Sequence, residues 1–598
     1  MNVLFISRAC RRLYPALTQR WMQTALLSSS GKTEVTVNQE DSTLSSIKYA
    51  MDTVELLDVV ARQRKELQTT HVVQILKTLF VLQKNGNSLL STEEILKHPH
   101  FEILCRSLRN HSRSMDLGDI IEALKVMIFL KVPTRSEIIH ILFNLLRQQI
   151  NDIELGQMVF LDFLLERCDR TPLVEAFRIA LPMLFQINVG TKLNHENVTE
   201  LAELLVFAVK HECSDQSIQN IVSALTLHGM SIDVVLARSI IWSLSDHKRF
   251  KPTHEKLLQN CIKIVTDQMD QLEFLDIEST LSKISYKVLH KFSAFYNEEF
   301  FKKVIEIAIE RDLPFNYVIY LFKKFNRMNY TSDLLLEMIA KKFTNVENSS
   351  PSIIFTLVSA FSFANYIPMN WSEMSQSIVR SKLLENPSNN LPWLKFTLEL
   401  VSLGTLDETL LGKIFSEDFL TKFLQRDNPT IDYMQLLSLY QILTILHPEY
   451  KGPLPHRKYI DCAIEVLQRK EESPLREPLK FAYGPAAIHR VMTKHGHLLD
   501  HIIVFDKEGN PIPVERNEDH PHLDFIGGQD RKLVAVLPFT SNCYSVNTLR
   551  LKGILQVWSE TVSALGLKVL PINTESWSQL MDHEKIPYLQ REIKFSIN

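Results

Sequence analysis

Between Phe315 and Tyr330, six rings (Phe315, Tyr317, Tyr320, Phe322, Phe325 and Tyr330) interleave with Lys323, Lys324 and Arg327, and no acid interrupts them. Rings can stack on unpaired bases while cations meet phosphates, so Tyr317, Tyr320, Lys323, Lys324 and Arg327 are candidate contacts to single-stranded RNA. The same spacing suits a helix whose rings face a core and whose basic side is merely solvated. A second basic stretch, 448–497, holds nine Lys or Arg against six acids, with His456, His489, His495 and His497. Arg457 and Lys458 are its candidate RNA contacts, and an ordinary solvated surface is the rival explanation. Third, Asn547, Arg550 and Lys552 stand where a helix is expected to begin. A helix N-terminus offers N–H groups to a phosphate, although a cap with surface charges would look the same.

Hydrolytic chemistry has less behind it. A metal-dependent nuclease needs a carboxylate on one strand and an acid-x-Lys on the next, to hold a divalent ion and position water. After the apolar run Leu533–Val536 the chain reads Leu537-Pro538-Phe539, with neither acid nor lysine. Asp500, Asp506 and Asp524 stand nearby, but a metal needs several oxygens converging, and Asp506 suits a turn. Phosphoryl transfer by a kinase needs a Gly-rich loop, a strand Lys and an Asp-based catalytic loop; the chain has no G-x-G-x-x-G, H-R-D or D-F-G. The seven cysteines form no C-x-x-C and show no zinc-type spacing with His. No catalytic residue, metal ligand or cofactor is therefore expected.

These groups need elements to hold them. From about 45 to 450 the pattern is helical. Leu117, Ile120, Ile121, Leu124, Met127 and Ile128 follow an i, i+3, i+4, i+7 stripe. A partner helix is expected from near Pro133, burying Ile138, Ile139, Leu142, Leu145 and Leu146. Leu155, Val159 and Phe163, then Pro172, Leu173, Phe177 and Leu181, repeat the pair. Two amphipathic helices per roughly 35–45 residues mark an α-solenoid; a plain helical bundle is the alternative. After 450 the prolines multiply. His501–Phe505, the turn residues 506–510, and Ile512 with Val514 read as a β-hairpin. Leu533–Val536 and Leu567–Ile572 read as strands flanking a helix over 548–565, which Gly566 stops. Strand–helix–strand implies a parallel pair, so the last hundred residues form a small α/β domain.

Bulk properties narrow the classes. The 598 residues are too many for one ordinary core. A net charge of −3 excludes a polybasic coat for nucleic acid and confines any such contact to local patches. Only 16 glycines disfavour a large barrel or sandwich. Arg8, Arg11, Arg12 and Arg20 precede the first acid, Glu34; Phe5, Leu13, Leu17 and Trp21 share a helical face, and Ser28, Ser29 and Ser30 follow. That composition predicts a mitochondrial transit peptide over 1–30, and an unprocessed tail is the alternative. Removing those residues, with their four arginines and no acid, leaves −7. No apolar stretch reaches the roughly 18 residues of a membrane span; the nearest, Ile353–Ile367, is broken by Thr356, Ser359, Ser362 and Asn365.

Several segments resemble the FAST kinase domain-containing (Fas-activated serine/threonine kinase-like) family. Leu357 to Trp371, with Asn365-Tyr366-Ile367-Pro368, resembles its first conserved region. Pro392-Trp393-Leu394 through Gly404-Thr405-Leu406, then Phe415 to Leu420 and Tyr450 to Pro455, resemble the second. Asp500 to Pro511 and Leu533 to Leu570 resemble its C-terminal RAP domain. The resemblance covers about 310–595. It implies a mitochondrial protein acting in RNA stability, processing or translation, and a RAP fold related to PD-(D/E)XK nucleases. Some RAP domains carry acids where this chain has Leu537-Pro538-Phe539, a departure that counts against catalysis rather than against the fold.

The expectation is therefore a mainly α protein, an α-solenoid of helical hairpins followed by a small α/β domain. Its parts would be the transit peptide 1–30, a helical repeat region 45–310, family-like helical regions 311–385 and 390–480, and a RAP domain 498–595 with its core at 533–591. The expected role is binding single-stranded mitochondrial RNA in the matrix, with RNA-processing or ribosomal proteins as further partners and no membrane span. The rival functions are a degenerate metal-dependent RNA nuclease and a helical scaffold for other proteins.

Overall fold

Helix starts along the chain are set by side-chain caps. Asp52, Asp116, Thr171, Asn197, Ser214 and Asp233 each accept a hydrogen bond from a backbone N–H in the first turn that follows, filling one of the donors a helix leaves unpaired. In this computed structural model the described residues are 42–597, apart from 230, 344, 382–390, 427–428, 469–471, 515–522 and 524–530. The expected transit peptide, the junction between the two family-like regions and Asp524 lie outside them. The fold is mainly α, with helical repeats followed by a small α/β domain.

Contacts divide the chain into two units, one of residues up to 283 with 293–300, the other of 284–292 with 301 onward. In the first unit, helices Thr69–Asn85, Leu117–Phe129, Leu155–Leu165, Val198–Lys210 and Val234–Asp246 stack each on the next. A second layer alternates with them; in it Pro172–Lys192 packs on Asp215–Leu227, and that helix on Glu255–Asp267. Contacts limited to neighbouring repeats are what a solenoid requires. Pro172 occupies the first turn of its helix, as expected, whereas the helix after Pro133 starts only at Glu137, behind Ser136. Buried Asp162 links two repeats, accepting from Lys210 Nζ at 2.7 Å and pairing with His211 Nε2 at 3.0 Å. Burial alone would raise its carboxyl, but these two partners hold it below the usual value.

One helix departs from the expected absence of any span-length apolar stretch. Pro172–Lys192, 21 residues with a mean hydropathy of 1.3, is long and apolar enough to cross a membrane by length and composition. Counting uninterrupted apolar runs missed it because Glu175, Arg178 and Gln186 break the run without lowering its mean far. In the structure Val174, Phe177, Leu181, Phe185 and Val189 lie in the unit's core, and Arg178 donates to the Leu165 carbonyl. Ile179, Met183 and Ile187 line its exposed side.

In the second unit α1 (Phe315–Arg327), α2 (Pro351–Ala364), α3 (Trp393–Ser402) and α4 (Thr430–Ile445) stack in one layer, and α5 (Arg457–Leu467) packs on α4. The rings of Phe355 and Phe396 stack at 4.4 Å between α2 and α3, beside fully buried Trp393. A four-stranded sheet follows, β1 (Ala487–Met492), β2 (Leu498–Phe505), β3 (Lys532–Phe539) and β4 (Lys568–Asn573), in that spatial order. The first three strands are antiparallel; β3 and β4 are parallel, joined through α6 (Gly553–Ala564). Ile503, Phe505, Val534, Val536 and Ile572 face helices Arg476–Tyr483 and Asp582–Ile597. Ile502, Val504, Leu533, Ala535 and Leu537 face Val562 and Trp558 of α6. With helices on both faces, these strands read as continuous apolar runs.

The hairpin falls elsewhere than expected. The turn at 506–510 forms, closed by Asp506 N–H to the Asn510 carbonyl at 2.9 Å, but beyond it the pairing fades to a single bridge, Phe505 with Pro511. The extended partner of β2 is the upstream β1, which lies before the expected start at 498. Its run Ala-Ile-His-Arg-Val-Met hides the strand, because His489 is buried there while only Arg490 points to solvent.

The sheet holds neutral imidazoles. His497 pairs with Thr493 Oγ1 at 2.9 Å and with Thr561 Oγ1 of α6 at 2.8 Å. His501 Nδ1 meets His489 Nδ1 at 2.6 Å, and its Nε2 meets Ser473 Oγ at 2.7 Å. Burial first, and neighbouring cationic or imidazole groups second, push both His497 and His501 down to about 3. Unfolded, each would take a proton near pH ~6.5. Their stabilisation is thus complete above ~6.5 and drains away as pH falls toward 3. The unfolding free energy from urea titrations should fall from roughly pH 7 to pH 5, with a slope approaching about 1.4 kcal/mol per pH unit for each of the two imidazoles once the unfolded state is fully protonated. His254 in the first unit, pushed down to about 4 chiefly by burial, adds in the same direction. A flat profile would show that the folded sheet accepts these protons.

Candidate nucleic-acid interface

On α1 the periodicity sorts rings from cations. Val318, Ile319, Leu321, Phe322 and Phe325 are buried, with Phe325 against Tyr330 at 5.2 Å and Phe301 at 6.2 Å. The core reading therefore holds for Phe322, Phe325 and Tyr330. Phe315 is half-buried and edge-on to Phe343 at 6.4 Å. Tyr317 and Tyr320 are 42% and 52% exposed, and they share the outer side with exposed Lys323 and Arg327 and half-buried Lys324. Lys323 Nζ reaches Ser352 Oγ on α2 at 3.5 Å. α1 contains no acid, so its outward face sets two phenol rings beside basic side chains with no carboxylate on the same helix.

The second basic group is arranged differently. At the start of α5, Arg457 Nε donates to Asp461 Oδ1 at 2.8 Å, and Lys458 Nζ donates to Glu417 Oε1 at 2.6 Å. The Glu417 carboxyl is held below its usual range by that lysine. A groove of about 340 Å³ beside Arg457 is lined by Lys494 but also by Asp461 and Glu465. Charge in it balances, so it has little pull on a phosphate.

The third group is split by the fold. α6 begins at Gly553 rather than 548, because residues 544–551 first close a small loop through a Tyr544–Leu551 bridge. Asn547 is committed elsewhere: its Oδ1 accepts from Thr331 N–H at 3.1 Å and its Nδ2 donates to the Thr331 carbonyl at 2.8 Å. It pins this loop to the turn after α1 instead of meeting a ligand. Arg550 is exposed. Lys552 stands at the N-cap of α6, half-buried, with Nζ 5.1 Å above the ring of Phe363 on α2. Burial, and then Lys395 nearby, lower its pKa. Phe363 and Lys395 were not singled out in the sequence. Only the helical phase of α2, with Ser352, Ser359 and Phe363 on one side, hints at them.

α6 serves two cores. It covers one face of the sheet and also packs on α2, α3 and α4. Trp558 Nε1 donates to buried Gln441 Oε1 of α4 at 2.9 Å, and Gln441 Nε2 donates to the His495 carbonyl at 3.3 Å. At Gly553 a Cβ would lie 2.0 Å from the Ser362 carbonyl oxygen and 3.2 Å from Asn365 Cα. Only glycine allows that approach.

Asp500 and Asp506 serve separate structural roles. Asp506 accepts from both the N–H and the side-chain amide of Asn510, at 2.7 and 3.0 Å, so its bonds are those of a turn. Asp500 lies within β2. Among the described residues no group of three or more His, Cys, Asp or Glu is placed to hold a metal ion.

Fold and surface thus define a helical-repeat protein closed by a small α/β domain, with aromatic and basic side chains exposed together on α1. No family model matches the chain. It is similar to FAST kinase domain-containing protein 2, mitochondrial, of Pongo abelii, at 19% identity over 591 residues that span 94% of this chain and 80% of that protein. This distant similarity supports the family resemblance and extends it beyond 310–595 to nearly the full length.

Gly553→Ala should destabilise the second unit by about 2 kcal/mol or more, since a backbone carbonyl must move. Thermal melting would register it, and an unchanged melting temperature would show that α6 does not sit this close to α2. Asn547→Ala strands the Thr331 N–H and carbonyl and should cost roughly 1–3 kcal/mol, read in the same melt.

Proposed function

We propose that this chain is a mitochondrial protein of the FAST kinase domain-containing family. In this reading it binds single-stranded RNA in the matrix and controls transcript stability, processing or translation by occupancy. Its C-terminal α/β domain is a RAP domain of nuclease-related shape that does not cleave. The observation that carries the reading is the outer face of α1, where Tyr317, Tyr320, Lys323 and Arg327 are exposed on a helix without an acid. Rings of this kind hold unpaired bases and cations hold the backbone. The distant similarity to a mitochondrial protein and the arginine-rich start of the chain support the location. RNA-processing or ribosomal proteins are its proposed further partners.

Occupancy suits the charge. A chain with net −3 cannot hold RNA by its overall field, so it must do so at a few places, where the rings add affinity that salt does not screen. The family name implies no phosphoryl transfer here, because the kinase motifs are missing from the sequence.

Anisotropy titrations of a fluorescein-labelled single-stranded RNA test this. The Tyr317→Ala/Tyr320→Ala pair should weaken binding by about 1–3 kcal/mol per base unstacked with little change in salt dependence. Lys323→Ala/Arg327→Ala should instead flatten the dependence of log K on log salt, by about 0.7 per phosphate lost. If the wild-type chain retains no RNA at any salt, or if all four alanines leave binding unchanged, the reading fails.

A further inference from the structure

Lys552 is half-buried at the N-cap of α6. Among the described residues no carboxylate lies within ion-pair distance of Lys552. Its Nζ lies 5.1 Å from the Phe363 ring centroid; burial and, more weakly, Lys395 lower its pKa, against an opposing effect of Cys543. Removing a charge from water without a partner is costly. Lys395 comes from α3 to the same side of α2, where its Nζ donates to Ser359 Oγ at 2.9 Å and to Glu399 Oε1 at 2.8 Å. Ser359 in turn donates to Glu399 at 2.6 Å. Glu399 is buried and, with Ser359, orients the Lys395 ammonium.

Ser359 and Phe363 are four residues apart on one face of α2, so the two lysines from different elements meet above a single helical turn. Ser352, the contact of Lys323, lies further along the same face. Lys323, Lys395 and Lys552 thus reach Ser352, Ser359 and Phe363 in turn, over a helix rise of about 16 Å. The Gly553 contact locks α6 onto α2 at the end of that rise, so the position of Lys552 is rigid.

We propose that Lys395 and Lys552, held over Ser359 and Phe363, bind a backbone phosphate of single-stranded RNA whose neighbouring nucleotides lie along α2 toward Tyr320. This site deepens the RNA-binding reading and rests on it. Phe363 is a positioning residue, fixing the lysine stem. Ser359 and Glu399 position Lys395.

The test is anisotropy of a labelled single-stranded RNA on the full chain over a salt series, with melting temperatures measured in parallel. Lys552→Met keeps an apolar stem over Phe363 and removes the charge. Its affinity should fall about fivefold, and its salt slope should drop by about 0.7, the value for one phosphate on a single strand. Its melting temperature should hold or rise, because a partly buried unpaired charge is gone. Lys552→Arg should restore the slope, and Lys552→Gln provides a second neutral variant if Met perturbs packing. An unchanged slope in both neutral variants while the wild type binds RNA overturns this site and leaves the RNA reading standing. Failure of the wild type to bind any oligonucleotide overturns both.

Discussion

The close approach of α6 to α2 is the contact on which the second unit depends. At Gly553 the two backbones come so near that no side chain fits between them. Because α6 also covers a face of the sheet, this contact joins the α/β domain to the helical layer as one packed body. Trp558, Gln441 and the His495 carbonyl extend the junction through a buried hydrogen-bond chain. Asn547 does the same at the other end, by matching both backbone atoms of Thr331. An α/β domain hung on a linker would leave Lys552 in solvent; docked in this way, it is pressed against Phe363.

Charge is spent locally in a chain that is almost neutral. Arg457 and Lys458 each face a carboxylate, and exposed pairs of this kind add little stability or field. α1 itself carries no carboxylate, and at the start of α6 Lys552 lies over the Phe363 ring. Sequence composition alone treats these two arrangements alike, since both are basic stretches with aromatic residues in or near them.

The apolar pattern carried most of the architecture. Helix phase in 117–181 predicted stacked pairs because burial in a repeat needs one apolar face on each helix. Gly566 and the flanking apolar runs predicted the β3–α6–β4 crossover, since parallel strands inside a covered sheet are apolar throughout. β1 was not legible. Its His489 and Arg490 look polar in sequence, and only pairing with His501 across the sheet explains why an imidazole is buried there. The helix from Pro172 was legible, but its full apolar length to Lys192 was not, because its polar residues are spaced to spare one face.

For the candidate site the division is sharper. The sequence by itself determined which segments carry cations and rings, and that α1 holds no acid, because those are facts of composition and helical period. Only the tertiary structure decided which of them face solvent, which are already paired, and which distant residues meet. Phe363, Lys395 and Lys552 lie on three separate elements, and no local rule links them. They converge because α6 must bury its apolar side against both the sheet and α2, and that packing requirement acts between segments far apart in the chain.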